Sequence, residues 1–205
     1  MIKPFRILFK KDKKPIVVVS GLPRSGTSLM MKMLEVGGIP SLTDRIRKAD
    51  DDNPKGYYEF ERAKKLKEGD FAWLPEAEGK AVKVISALLS YLPAEYQYKV
   101  IFMQRSLPEV LASQRKMLVN RDEDPDRVSD EELTGLFEKH LADVMGWLAQ
   151  QSNVSTLYLS YNDLIGNPTA NIQGLDRFLP GLLDTTSMGT VIDPALYRQR
   201  VETNK

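Results

Sequence analysis

Residues 20–28 combine glycines, hydroxyl groups and an arginine in one short stretch, Ser-Gly-Leu-Pro-Arg-Ser-Gly-Thr-Ser. Glycines let backbone N–H groups close around an anion, and a helix that begins just after the loop adds its positive N-terminal end. The hydroxyl groups of Ser25, Thr27 and Ser28 can donate further hydrogen bonds. Arg24 adds a guanidinium group, which can donate two parallel hydrogen bonds to an anion. This combination predicts a binding site for a phosphate or a sulfate group.

The spacing of Gly21 and Gly26 is that of the phosphate-binding loop of nucleotide triphosphatases, but Thr27 stands where those proteins have lysine. Without that lysine the contact with the β- and γ-phosphates is missing, so an ATP or GTP enzyme is disfavoured. The alternative without function is an ordinary strand-to-helix turn. Such a turn does not require arginine, serine and threonine together, so the loop favours anion binding.

Pro23 to Ser28 resembles the 5′-phosphosulfate loop, Pro-Lys/Arg-Ser-Gly-Thr-Thr/Ser, of the sulfotransferases that use 3′-phosphoadenosine 5′-phosphosulfate (PAPS). In that family a second signature binds the 3′-phosphate, with an arginine at a strand end and a serine eight positions later. Arg105 and Ser113 have this spacing. An isolated pair of this kind is a weak signal, but together with the loop it is a specific one.

A third segment, Tyr158 to Asp163, resembles the Tyr-Glu-Asp strand end of the same family, and it is followed by Asn167-Pro168 and Phe178-Leu179. By this resemblance Tyr161 lies against the adenine. The alternative is a half-buried tyrosine at a strand end, a common packing role. The resemblance extends from about Ile16 to Leu179.

The resemblance also implies roles in sulfuryl transfer, which needs alignment and stabilisation of charge. Arg24, Ser25, Gly26, Thr27 and Ser28 would hold the 5′-phosphosulfate, and Arg105 with Ser113 the 3′-phosphate. Lys83 lies in a segment, 82–86, that resembles the family's Lys-x-His, and would steady the transferring group.

The histidine of that segment is replaced by Ile85, so the catalytic base of the cytosolic small-molecule members is absent. The lone histidine, His140, falls on the apolar side of a long helical pattern and is interpreted as structural. Other branches of the family use a glutamate. Glu59 is our first choice and Glu61 the second, and the alternative for either is a solvated surface carboxylate.

The elements that position these residues alternate between strand and helix. Apolar runs predict strands at Ile16–Val19, Ala81–Ile85, Lys99–Gln104 and Ser155–Leu159. Helices are expected over Thr27–Val36 and Leu107–Met117, after Ser129 and from Pro168. The pairs Ser106/Glu109 and Ser129/Glu132 have capping-box spacing. This alternation predicts an α/β fold with a P-loop-type parallel β-sheet flanked by helices on both faces.

Composition bounds the remaining possibilities. A chain of 205 residues with 42% hydrophobic content favours one domain, with a core of about 15–180 and peripheral residues 1–14 and 181–205. With a net charge of +1, the protein has no overall positive potential that would attract nucleic acid as a partner. The absence of cysteine excludes thiolate metal sites and disulfides, no metal site is identified, and a cytoplasmic location is expected. No segment predicts a signal peptide or stable membrane insertion, and no pattern specifies an oligomeric state.

Two other functions stay open at this point. A P-loop kinase would also need strand, loop and helix, and a nucleotide-binding protein without catalysis would fit the loss of histidine at position 85. The acceptor of a sulfotransferase would be a small molecule or a glycan with a hydroxyl or amine. Five aromatic residues would either line an apolar acceptor pocket or serve as packing groups: Tyr57, Tyr58, Phe60, Phe71 and Trp73. Arg198 and Arg200 are candidates to cover the cofactor.

Overall fold

The computed structural model describes residues 14–44, 46, 56–179, 181 and 183–193. The predicted parallel sheet is confirmed. It has four strands in the order β2-β1-β3-β4, and every neighbouring pair is parallel. The strands are β1 (Ile16–Gly21), β2 (Ala81–Lys83), β3 (Tyr98–Gln104) and β4 (Val154–Ser160).

β1 is buried along its whole length because it lies between two strands and has a packed layer on each face. Its register pairs Val19 with Lys83 on one side and with Ile101 on the other. Parallel strands in this register end at the same edge of the sheet. The carboxyl ends of all four strands therefore face one region, where open α/β sheets bind their ligands.

The described residues form helices in addition to the strands. The α-helices are α1 (Thr27–Val36), α2 (Leu74–Ala77), α3 (Leu107–Asn120), α4 (Asp130–Gln150), α5 (Tyr161–Gly166), α6 (Pro168–Phe178) and α7 (Thr185–Thr190). Two 3-10 helices cover Glu61–Glu68 and Ser86–Tyr91.

Helices cover both faces of the sheet, as the sequence predicts. Alternate residues of the strands point to opposite faces and pack in two separate hydrophobic clusters. On one face Val17 and Val19 pack in a cluster with residues of α1, α6 and α7, such as Leu34 and Leu175. On the other face Val18 packs in a cluster with residues of the first 3-10 helix, α2 and α4. A strand buried on both faces is the expected arrangement for a parallel sheet.

Most predicted elements are observed, with shifts at their ends. α1 has the predicted bounds, while α3 continues to Asn120 instead of ending at Met117. The predicted second strand extends too far. It ends at Lys83 because Ile85 already precedes the 3-10 helix Ser86–Tyr91. The 3-10 helix Glu61–Glu68 is absent from the sequence-based expectation, since its hydrophobic pattern is too short to be recognised.

The two predicted capping boxes have different outcomes. Ser129 caps α4, because its Oγ accepts a hydrogen bond from the N–H of Glu132 at 3.2 Å. Ser106 precedes α3, but its side chain makes no capping hydrogen bond, so this prediction is wrong. The carboxylate of Glu109 forms an ion pair with Arg105 instead.

Two features are missing from the part of the chain that the structure describes. No helix among them combines the length and the apolar character needed to cross a bilayer. Within the same residues, no three histidine, aspartate or glutamate side chains cluster closely enough to hold a metal ion.

A matched pair of leucine variants tests the core. Leu34 of α1 is 0% exposed, whereas Leu136 of α4 is 55% exposed. We expect Leu34→Ala to lower the free energy of unfolding by about 2–5 kcal/mol, because it removes a fully packed side chain. Leu136→Ala should change it by less than about 0.5 kcal/mol. Urea denaturation followed by circular dichroism measures both, and equal effects would contradict the assignment of the core.

Candidate functional site

The loop after β1 is a tight turn that opens directly into α1. The Ser25 hydroxyl donates to the Leu22 carbonyl at 2.7 Å, and the Ser25 N–H contacts the same oxygen at 3.2 Å. Ser25 is thus buried, and its hydroxyl fixes the turn. α1 begins after Gly26, a residue that has no side chain to cap the helix. The positive N-terminal end of α1 therefore points towards this turn.

Glycine is required at both ends of this turn. A Cβ atom at Gly21 would collide with the carbonyl oxygen of Met103, and one at Gly26 would collide with the ring of Tyr161. Both glycines also have positive φ, 144° and 97°. The turn therefore lies in direct contact with β3 and with the first residue of α5.

Arg24 connects the loop to the second predicted motif. Its Nε donates to Ser113 Oγ of α3 at 2.9 Å. Its carbonyl oxygen accepts a hydrogen bond from Arg105 Nη1 at 3.1 Å. The structure therefore brings together three residues that the sequence analysis assigned to two ends of one nucleotide, although Arg24 and Ser113 are 89 positions apart.

Arg105 lies at the end of β3 and is held from several sides. The Arg105 side chain is 8% exposed, and its Nε donates to Glu109 Oε2 at 2.9 Å. Its Cζ lies 4.5 Å from the centre of the Tyr161 ring, a favourable cation–π distance. Asn162 Nδ2 donates to the second carboxylate oxygen of Glu109 at 3.1 Å.

Tyr161 lies between these motifs. It is buried, and its ring packs against Gly26 on the loop and against the guanidinium of Arg105. This position is compatible with both interpretations in the sequence analysis, a packing role and contact with a bound base. Glu109 and Asn162 were missed as site residues, because their roles depend on contacts between distant elements and not on local spacing.

Lys83 and Ser28 converge on one backbone carbonyl. Lys83 Nζ donates to the carbonyl oxygen of Tyr57, and the Ser28 hydroxyl lies 3.5 Å from the same atom. Since Lys83 ends β2 and Ser28 lies in the first turn of α1, this contact places the lysine beside the loop. The lysine is therefore on the opposite side of β1 from Arg105.

The two candidate bases share one lysine. Lys64 Nζ contacts Glu59 Oε2 and Glu61 Oε1, each at 2.7 Å. Burial lowers the pKa of Lys64, but its hydrogen bonds with the two carboxylates outweigh that effect and raise the pKa overall. The Glu59 side chain is 18% exposed and that of Glu61 is 47% exposed. Glu59 is thus the more enclosed of the two, and Lys64 holds its carboxylate in place.

The remaining candidates lie elsewhere in the fold. His140 Nε2 is 2.8 Å from Ser86 Oγ, and this contact joins α4 to the second 3-10 helix. Tyr57 and Trp73 are buried, and Trp73 packs in the core with Phe60 at a ring distance of 5.4 Å, whereas Phe71 is exposed. Packing therefore accounts for Trp73, which offers no surface to an acceptor. Arg198 and Arg200 lie outside the described residues.

Comparison with known proteins identifies the fold. No protein-family model and no curated protein matches the chain. The chain is similar to the crystal structure of sulfotransferase STF1 from Mycobacterium tuberculosis H37Rv, with 15% identity and a TM-score of 0.58. The match covers 90% of this chain and 73% of the STF1 chain. The sulfotransferase domain from the curacin biosynthetic pathway matches 82% of this chain and 75% of its own, with 16% identity and a TM-score of 0.48.

The similarity to STF1 confirms the α/β fold that the sequence predicts. The chain has the fold of a sulfotransferase, and at 15% identity the likeness is one of fold. A fold of this kind does not by itself determine function, which depends on the residues of the site.

The contact between Gly26 and Tyr161 can be tested against a glycine with the same backbone conformation. Gly26 and Gly38 flank α1 with φ of 97° and 98°, but nothing lies within 4 Å of a Cβ atom at Gly38. Alanine at either position pays a backbone strain of roughly 1–2 kcal/mol. Gly26→Ala should lower the free energy of unfolding by clearly more than Gly38→Ala, because it also collides with the tyrosine ring.

The measurement is urea denaturation of the two variants and of each in a Tyr161→Ala background. In the Tyr161→Ala background, Gly26→Ala and Gly38→Ala should lower the free energy of unfolding by similar amounts, because the ring that collides with the new Cβ atom is gone. An unchanged difference would show that the Tyr161 ring does not pack on the loop.

Proposed function

We propose that this protein is a sulfotransferase that transfers the sulfuryl group of PAPS to a hydroxyl or amine of a small-molecule or glycan acceptor. The observation that carries the proposal is the contact of Arg24 with Ser113 and Arg105. These contacts support a single site made of the loop and the arginine–serine pair Arg105 and Ser113. A ligand with anionic groups at two separate positions suits such a site better than a single phosphate does.

The residues present fit a donor of this kind. The N-terminus of α1 and the hydroxyl groups of Thr27 and Ser28 would hold the 5′-phosphosulfate. Arg105 and Ser113 would hold the 3′-phosphate, and the Tyr161 ring would offer an apolar face to the base. The donor supplies the sulfuryl group and leaves as adenosine 3′,5′-bisphosphate.

The work of the protein in this reaction would be orientation and stabilisation of charge. Lys83 lies beside Ser28, so its ammonium group would offset negative charge on the transferring group. Arg24, which reaches from the loop to Ser113, would keep the two anionic ends of the donor in register. Glu59 would accept the proton of the acceptor hydroxyl, with Lys64 holding its carboxylate.

A kinase is the second candidate, and the loop sequence disfavours it. Thr27 occupies the position of the lysine that a P-loop kinase uses on the β- and γ-phosphates. A binding protein without catalysis would retain Arg105 and Ser113 but would have no use for Glu59 or Lys83. A cytoplasmic location stays a prediction in each case.

Calorimetric titration with adenosine 3′,5′-bisphosphate tests the proposed donor. We expect the wild type to bind it more tightly than Mg-ATP, and Arg105→Ala to weaken binding by about tenfold or more, since a charged hydrogen-bonding partner of the phosphate is lost. Arg127→Ala, at an exposed arginine in the turn between α3 and α4, is the matched control and should bind normally. A preference for Mg-ATP would favour the kinase.

Replacing each of the two glutamates by uncharged glutamine tests which of them is the catalytic base. Transfer of radiolabelled sulfuryl from PAPS to a panel of phenols, amines and sugars gives the rate. Glu59→Gln should lower the rate about a hundredfold or more, because general base catalysis contributes at least that much. Glu61→Gln should have a small effect, and both variants should bind adenosine 3′,5′-bisphosphate normally. A larger effect at Glu61 would reverse the assignment.

A further inference from the structure

Glu109 is the only buried carboxylate among the residues that the structure describes, with a side chain that is 2% exposed. Burial of a charge is unfavourable unless the charge is paired and hydrogen-bonded. An acidic residue in the first turn of a helix is favourable even at the surface, so its position on α3 gives no reason for the burial. The reason must lie in what the carboxylate holds.

Both oxygens of Glu109 are used, and each contacts a different element. Oε2 accepts from Arg105 Nε at 2.9 Å, at the end of β3. Oε1 accepts from Asn162 Nδ2 at 3.1 Å, in the first turn of α5. Asn162 follows Tyr161, whose ring lies against the same guanidinium. The carboxylate therefore links Arg105, the candidate residue for the 3′-phosphate, to α5, which carries the candidate adenine-binding ring of Tyr161.

These contacts fix the plane of the Arg105 guanidinium. Glu109 engages the Nε edge, Tyr161 lies under one face, and the Arg24 carbonyl accepts from Nη1 at 3.1 Å. Arginine contacts phosphate best when two parallel N–H groups meet two oxygens, and this geometry needs a defined plane. A side chain held in that plane before binding loses less rotamer freedom when the anion arrives.

We infer that Glu109 is a positioning residue that holds Arg105 for the 3′-phosphate and thereby sets the preference for a 3′-phosphorylated nucleotide. This inference rests on the proposed function. The carboxylate also repels a phosphate, and that effect has the opposite sign. With Arg105 almost fully enclosed, orientation outweighs repulsion, because an arginine released from its partners has several other rotamers.

The selectivity ratio measures this role directly. It is the dissociation constant of adenosine 5′-phosphate divided by that of adenosine 3′,5′-bisphosphate, two ligands that differ only in the 3′-phosphate. We expect Glu109→Gln to lower the ratio about tenfold, as loss of a charged hydrogen bond would. Glu138→Gln, at an exposed glutamate of α4, should leave it unchanged. General damage to the fold would weaken both ligands alike and leave the ratio intact.

Asn162→Ala provides a second test that keeps the Arg105–Glu109 ion pair. It removes the hydrogen bond to Oε1 and should lower the ratio about threefold, because one neutral donor is lost. Asn162 is partly exposed, so this variant decides the inference even if Glu109→Gln does not fold. Glu109→Asp keeps the charge but draws it back from Nε, and it should lower the ratio as well.

The outcomes separate this inference from the proposed function. A wild-type protein without preference for the bisphosphate would overturn both. A wild-type preference that Glu109→Gln and Asn162→Ala leave unchanged would overturn the inference alone. A higher ratio in Glu109→Gln would also overturn it and would show that the carboxylate competes with the phosphate for Arg105.

Discussion

The guanidinium of Arg105 has to remain charged while it is almost fully removed from water, and the arrangement of the site follows from this constraint. An unpaired buried charge destabilises a protein by several kcal/mol, roughly half of a typical total stability. Here the charge is balanced by Glu109, and the remaining contacts come from the Arg24 carbonyl and the Tyr161 ring. Those partners belong to a loop and two helices. The elements must therefore dock together for the arginine to be tolerated at all.

The order of the strands explains how these partners reach one another. β3 lies between β1 and β4, so its carboxyl end is flanked by the loop on one side and by α5 on the other. β2 lies beyond β1 and carries Lys83 to the far side of the loop. The two cations thus lie on either side of the turn that follows β1. In the proposed reaction this separation would assign Arg105 to the 3′-phosphate and Lys83 to the sulfuryl group of one extended donor.

Local patterns predicted the elements but not the contacts between them. α1 and the parallel strands follow from hydrophobic periods within a few residues, whereas Arg105 and Ser113 are singled out by their resemblance to a signature of the PAPS-dependent sulfotransferases. The pair Ser106/Glu109 has the spacing of a capping box, yet the carboxylate pairs with Arg105 and with Asn162, 53 positions away. Sequence spacing describes both outcomes equally well. The choice between them depends on the docking of α5, which no local pattern specifies.

Two of the three described non-glycine residues with positive φ, Arg24 and Tyr58, lie next to the two cations, and the third, Asp122, lies in the turn after α3. Arg24 and Tyr58 have positive φ, 69° and 53°, and for residues with large side chains this conformation is unfavourable by roughly 1–2 kcal/mol. The carbonyl of Arg24 accepts from Arg105, and the carbonyl of Tyr57, just before the second strained position, accepts from Lys83. The Tyr58 hydroxyl also donates to Glu35 at 2.7 Å, which ties this segment to α1. Strain of this kind persists only where surrounding packing enforces it. The buried sheet and α1 therefore do more than stabilise the fold, because they hold two carbonyl groups in directions that an unconstrained chain would avoid.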